Sequence, residues 1–226
     1  MKLNLLIYKL EEKIRKIAIE RLMMIITISM AIVFAADVIV YLASEGQFGI
    51  DNNINSLLDF DRSLIFKGQV WRVVSFVFAY PGNVSDFILV PLSLYFYYWT
   101  GTVVENYWGK ARFNLFYFSG IILTMAAGFI SGGATNIFLN LSIFLAFAAI
   151  FPEHRVLLFF IIPVKVKWIA IASAAFLLYY FVQSLVYDWQ TCFSIIAAVI
   201  NFLIFCGYDL ITRLKSIWTM KKMNRR

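Results

Sequence analysis

Charge is scarce in this chain. Only 15% of its 226 residues are Asp, Glu, Lys or Arg, against about 25% in a soluble domain. That deficit excludes an ordinary water-soluble surface, which must be polar all round. Histidine is nearly absent: His154 is the single copy, and Cys, His, Asp and Glu nowhere cluster at metal-ligand spacing, so no metal and no other cofactor is expected. The two cysteines, Cys192 and Cys206, share one apolar stretch. On a single helix they cannot reach each other for a disulfide, and they read as small apolar residues. No small-residue cleavage site follows a short apolar core near the start, so a cleaved signal peptide is not expected. No linker or low-complexity segment breaks the chain into separate domains.

What is abundant is apolar. The chain is 62% hydrophobic and 18% aromatic, with a mean hydropathy of +0.80. A lipid-facing surface tolerates this balance. Six runs approach the roughly 20 apolar residues that a membrane-spanning helix needs: Leu22–Leu42, Phe87–Tyr107, Phe113–Ile130, the shorter Asn136–Phe151, Trp168–Tyr187 and Cys192–Ile211. Asp37, Glu105 and Asp209 are the charges within them. The short connections between the third and fourth runs, and between the fifth and sixth, require antiparallel neighbours. The expectation is an all-α integral membrane protein, a six-helix transmembrane bundle over residues 22–211. The apolar run Val156–Val164 is too short to cross, and its Pro163 and following lysines suggest an interfacial segment.

Residues 1–21 differ. Leu3, Leu6, Ile7, Leu10, Ile14 and Ile17 recur at helical spacing, with Lys9, Glu12, Lys13, Lys16 and Glu20 on the other side. Two readings stay open: an amphipathic helix lying on an anionic membrane surface, or a cytosolic helix packed on the protein. Residues 212–226 form a basic cytosolic tail.

Lysine and arginine orient the bundle. With the N-terminus inside, only Arg62, Lys67 and Arg72 of the 20 fall outside. Both termini are therefore expected in the cytoplasm. The asymmetry also accounts for the net charge of +7 without a nucleic-acid partner; the partner expected from composition is the lipid bilayer. High use of Ile, Lys, Asn and Phe fits a bacterial cytoplasmic membrane.

The long outer segment from Glu45 to Asp86 is polar in its first half and apolar in its second. Residues 67–81 are too short to span yet carry Trp71 and Arg72 together. Such a segment belongs in the outer interface, where non-helical backbone must be satisfied by protein. Arg72, with five donors, can tie several carbonyls together. The third run spaces Gly120, Thr124, Gly128 and Gly132 four apart, a small-residue stripe suited to close packing within the bundle.

Gly68-Gln-x-Trp71-Arg72-x-x-Ser-Phe resembles the first loop of rhomboid intramembrane proteases, a Trp-Arg pair that Derlins share. Gly101-x-x-x-Glu105-x-x-Trp-Gly109-x-x-Arg112-Phe looks like the end of rhomboid helix two and its turn into helix three. The stretch from Phe151-Pro152 to Lys167-Trp168 is similar to the rhomboid connection between helices four and five. The resemblance covers about Leu22 to Asp209. It implies a rhomboid-like six-helix bundle with a membrane-embedded first loop, and structural roles for Trp71, Arg72, Glu105 and Arg112, the last as a possible partner of Glu105.

The chain departs from an active protease of that family. Ser142 falls at the nucleophile position, but its setting, Asn140-Leu141-Ser142-Ile143, lacks both motif glycines. The region of the family's histidine reads Ser194-Ile-Ile-Ala-Ala198 and offers no base to activate a serine. His154 lies 12 positions beyond Ser142, about 18 Å along a helix. The expectation is a pseudoprotease that binds transmembrane helices of client proteins through polar groups such as Asn140, Ser142 and Asn201. The alternative is a divergent intramembrane serine protease. A solute transporter is disfavoured by the lack of an inverted repeat.

Overall fold

The computed structural model describes residues 2–44, 53–158, 162–187 and 189–223. The fold is all-helical, with no barrel. A short helix α1 (Lys2–Ile14) precedes α2 (Leu22–Ala43). Three helical fragments follow in the first loop: α3 (Ile54–Leu58), α4 (Arg62–Phe66) and α5 (Arg72–Ser75), which runs into a 3₁₀ turn at Phe76–Phe78. Then come α6 (Leu89–Trp108), α7 (Lys110–Ser131), α8 (Ile137–Ile150), α9 (Val166–Tyr187) and α10 (Trp189–Met223).

Among the described residues, three helices are long and apolar enough to cross a membrane: Leu22–Ala43, Lys110–Ser131 and Val166–Val186. The six-span expectation is thus met in part only, and the reasons differ by helix. The 20-residue α6 is long enough, but Tyr95, Tyr97, Tyr98, Trp99, Glu105 and Asn106 make it too polar to qualify. The 14-residue α8 is apolar but short. In α10 the apolar part is Thr191–Gly207, and the helix then continues unbroken through the basic residues to Met223.

Around α8 and α7 lies the core. Phe113, Phe116 and Tyr117 of α7, and Leu139 and Phe147 of α8, are fully buried. Helix α10 packs on both of these helices, and α6 packs on α2 and α8. Gly120 permits one close approach: a Cβ there would lie 2.4 Å from Leu139 Cδ1 and 2.8 Å from Asn201 Nδ2. The turn between α6 and α7 needs Gly109, whose φ of 81° suits glycine.

Two short antiparallel ribbons complete the structure. Strand β1 (Phe60–Asp61) pairs with β2 (Gly133–Ala134), tying the first loop to the end of α7. Strand β3 (Arg155–Leu158) pairs with β4 (Ile162–Lys165), Arg155 opposite Lys165 and Val156 opposite Val164. The described parts of the run expected to be interfacial therefore pair as two antiparallel strands, residues 159–161 of it lying outside the described residues. Glu153 pins the base of the pair, accepting from Lys165 Nζ at 2.8 Å and Lys167 Nζ at 2.6 Å. Those two ammonium groups hold its carboxyl down at about 2.

Helix α1 packs against α7 through buried Ile7, while its Leu5, Leu6 and Leu10 stay exposed.

Candidate functional site

The polar groups in this apolar bundle fall into three layers. At one end, the first loop is held by buried side chains that serve backbone groups. Arg72, 4% exposed, donates through Nη1 to Ser56 O and Asp59 O, both at 2.8 Å, and through Nε to Gln69 Oε1 at 2.7 Å. Trp71 Nε1 donates to Leu57 O, while its ring stays about half exposed, beside exposed Val70 and Val74. Asp37, buried in α2, accepts from Ile54 N and Asn55 N at the start of α3 and from Tyr80 Oη. Burial, then the bond to Asp37, push the Tyr80 hydroxyl's pKa upward. Asn136 donates to the carbonyls of Phe76, Val77 and Ala79. Backbone that leaves regular structure inside an apolar environment has its acceptors met by these side chains.

A cavity of about 430 Å³ opens between this loop and the start of α10, lined in part by Asp59, Thr135, Thr191 and Ser194. Burial raises the Asp59 carboxyl above the ordinary aspartate range, and the Arg72 charge offsets part of that rise. Sequence reasoning did not single out Asp59 or the cavity, because its walls come from three separate parts of the chain.

The middle layer holds the candidate site. Ser142 is 1% exposed, and its Oγ donates to Leu139 O at 2.6 Å, one turn back on its own helix. The crevice beside it is too narrow for a water molecule and is walled by Phe138, Leu141, Leu145, Leu177, Ala198 and Val199. His154 lies beyond the end of α8, its ring against Trp99 and Phe147. The eight steps along the helix from Ser142 to Ile150 alone rise about 12 Å, far more than a proton transfer spans. Asn201 bridges α10 to α7, donating to Phe116 O and accepting from Ser119 Oγ. Asn140 is 2% exposed, and both of its amide atoms lack a hydrogen-bond partner. Tyr117 Oη is likewise buried and unpartnered. Of the three polar residues singled out in the sequence, two are satisfied within the bundle and Asn140 is not.

No protein-family model, curated protein or solved structure matches this chain.

The third layer sits at the other end, where α2 begins and α6 ends. Glu105, 7% exposed, accepts from Leu22 N at 3.0 Å and Met23 N at 3.4 Å, capping α2. It does not pair with Arg112, the partner weighed for it in the sequence. Arg112 instead stacks on Trp108, donates to Phe205 O and lies 3.8 Å from Glu11. The physical reason is that the unmet amides at the start of a long apolar helix need an acceptor more than Arg112 needs a second carboxylate. Asn114 supports the same junction, exchanging bonds with the backbone of Ile19.

Proposed function

We propose that the chain is a six-span, rhomboid-like membrane bundle with both ends in the cytoplasm. On this reading it does not cleave peptide bonds but binds transmembrane helices of other proteins, in a bacterial cytoplasmic membrane. One observation carries the reading. On a single helix Ser142 is closed onto its own backbone, while Asn140, two residues earlier, is buried with its whole amide unpartnered. Leaving such a group unmet costs about 1–3 kcal/mol. A client helix bearing a polar group would recover part of that cost.

Other features support the same reading. Helix α6 rises about 30 Å, the thickness of the hydrocarbon core, in spite of its tyrosines. Helices α6 and α9 each pack on α8 and scarcely on each other, and on this reading a client helix enters between them. Only 6% of the α9 span is buried. The 14 residues of α8 rise about 21 Å, short of that core, which favours local thinning of the bilayer. The protease alternative needs a base at Ser142, and every side chain lining its crevice other than Ser142 itself is apolar.

Labelling with a fluorophosphonate probes the non-proteolytic half of this reading. Purified protein should stay unlabelled at Ser142. Covalent labelling that Ser142→Ala abolishes would restore the protease alternative.

A further inference from the structure

At the inner junction, α2 and α6 enclose a cavity of about 630 Å³ whose wall includes Glu20, Arg21, Tyr98, Thr102, Glu105 and Lys110. Its chemistry is unusual for this chain. Two carboxylates and two cations face one space, so its formal charge is zero. Glu105 is committed to the amides of α2, and Lys110 Nζ lies 2.6 Å from Glu20 Oε1. The Arg21 guanidinium makes no hydrogen bond or ion pair, and Thr102 Oγ1 is buried without a partner. A free cationic fork, a carboxylate reachable from solvent and an orphaned hydroxyl thus share one wall.

The cavity continues into an apolar strip. One and two turns along α2 from Met24, Ile28 and Ile32 are 50% and 64% exposed; one turn back along α6 from Tyr98, Tyr95 is 59% exposed. A polar pocket of both charge signs, opening onto an exposed apolar strip, matches a lipid with its headgroup in the pocket and its acyl chains along the helices.

We propose that this cavity binds the phosphoethanolamine headgroup of an inner-leaflet lipid, the phosphate on Arg21 and the ammonium on the Glu20 side with Thr102. Charge-assisted bonds at both ends explain the choice. An anionic headgroup would bring a phosphate with no cation of its own to face Glu20 and Glu105. A choline cannot donate hydrogen bonds, and its usual recognition by several aromatic faces is lacking, since Tyr98 is the only aromatic residue in the lining. The proposal rests on the membrane-spanning reading above but not on client binding.

The test is native mass spectrometry of detergent-solubilised full-length protein mixed with equal amounts of synthetic phosphatidylethanolamine, phosphatidylglycerol and phosphatidylcholine. Phosphatidylethanolamine should be retained about fivefold or more over the other two, and Arg21→Asn, which removes a phosphate contact that all three lipids share, should lower the retention of all of them. Asn suits the left-handed backbone at this position, where φ is 55°, so the variant is expected to fold. Thr102→Val, close to isosteric, should lower retention as a second reading. Glycerophosphoethanolamine, which has the headgroup without the chains, should fail to displace the lipid at the same concentration. Equal retention of the three lipids, an Arg21→Asn variant that retains lipid as strongly as the parent, or displacement by the soluble headgroup would each overturn the proposal. Alkaline carbonate extraction separates the two levels of failure. Protein that stays in the membrane pellet without a lipid preference refutes the lipid site alone; protein released into the supernatant refutes the membrane-spanning reading beneath it.

Discussion

The carboxylate of Glu105 accepts the backbone N–H of Leu22 at 3.0 Å across 83 residues of sequence. One side chain near the end of α6 thereby sets where α2 starts. The first amides of a helix have no partner within it, and here α1 and Arg21 supply no side-chain cap. Glu105→Ala should lower the stability of the detergent-solubilised protein by about 1.5–3 kcal/mol, the range for hydrogen bonds to a charged group. Glu105→Gln, which keeps one acceptor, should cost less. Thermal unfolding ranks the two, and equal, negligible effects would show that the cap is dispensable.

Arg72 invites a second comparison. It is buried and serves three acceptors, whereas Arg62 reaches Phe129 O and Ile130 O from an exposed position. Arg72→Ala should destabilise by about 2–3 kcal/mol, because it strands buried carbonyls. Arg62→Ala, whose acceptors water can reach, should cost clearly less. Similar melting temperatures for the two variants would remove Arg72 from its place at the centre of the first loop.

Asp59 predicts a pH dependence. Burial raises its carboxyl, so the folded state holds the proton more tightly than the unfolded chain. The folded loop is therefore penalised at neutral pH, and the penalty disappears as pH falls below the ordinary aspartate value. Asp59→Asn should raise the melting temperature at pH 7, with the gain closing below about pH 4. A loss of stability at pH 7 would mean that attraction to Arg72 outweighs desolvation.

These residues also show what was legible beforehand. Hydropathy located all six long helices to within a few residues, except that α10 runs on to Met223. Arg72 could be read as a donor to several carbonyls because a lone cation in an apolar loop has few other uses. Glu105 could be read as needing a partner, but not which one: its acceptors serve backbone amides far away in sequence, and no side chain marks them. Asn136 was passed over for the same reason, since its three carbonyl partners belong to the 3₁₀ turn and its exit. The β3–β4 pairing was missed because Val156–Val164 is apolar throughout, with no alternation to betray a strand. Whether Asn140 would be satisfied depended on how α8 meets its neighbours, which a single sequence does not encode locally.

Client binding is the central claim, and site-specific photocrosslinking in native membranes tests it most directly. A photoreactive residue is placed at exposed Leu92 on α6, at exposed Phe176 and Leu178 on α9, which flank Leu177 of the Ser142 crevice, and at exposed Ile122 on α7. Each interhelical hydrogen bond contributes only about 0.6 kcal/mol on average in membranes, so contacts should be transient and spread over several client proteins. The account predicts adducts to other membrane proteins from the α6 and α9 positions, and few or none from Ile122. Adducts of equal yield from all four positions, or from none, would contradict it.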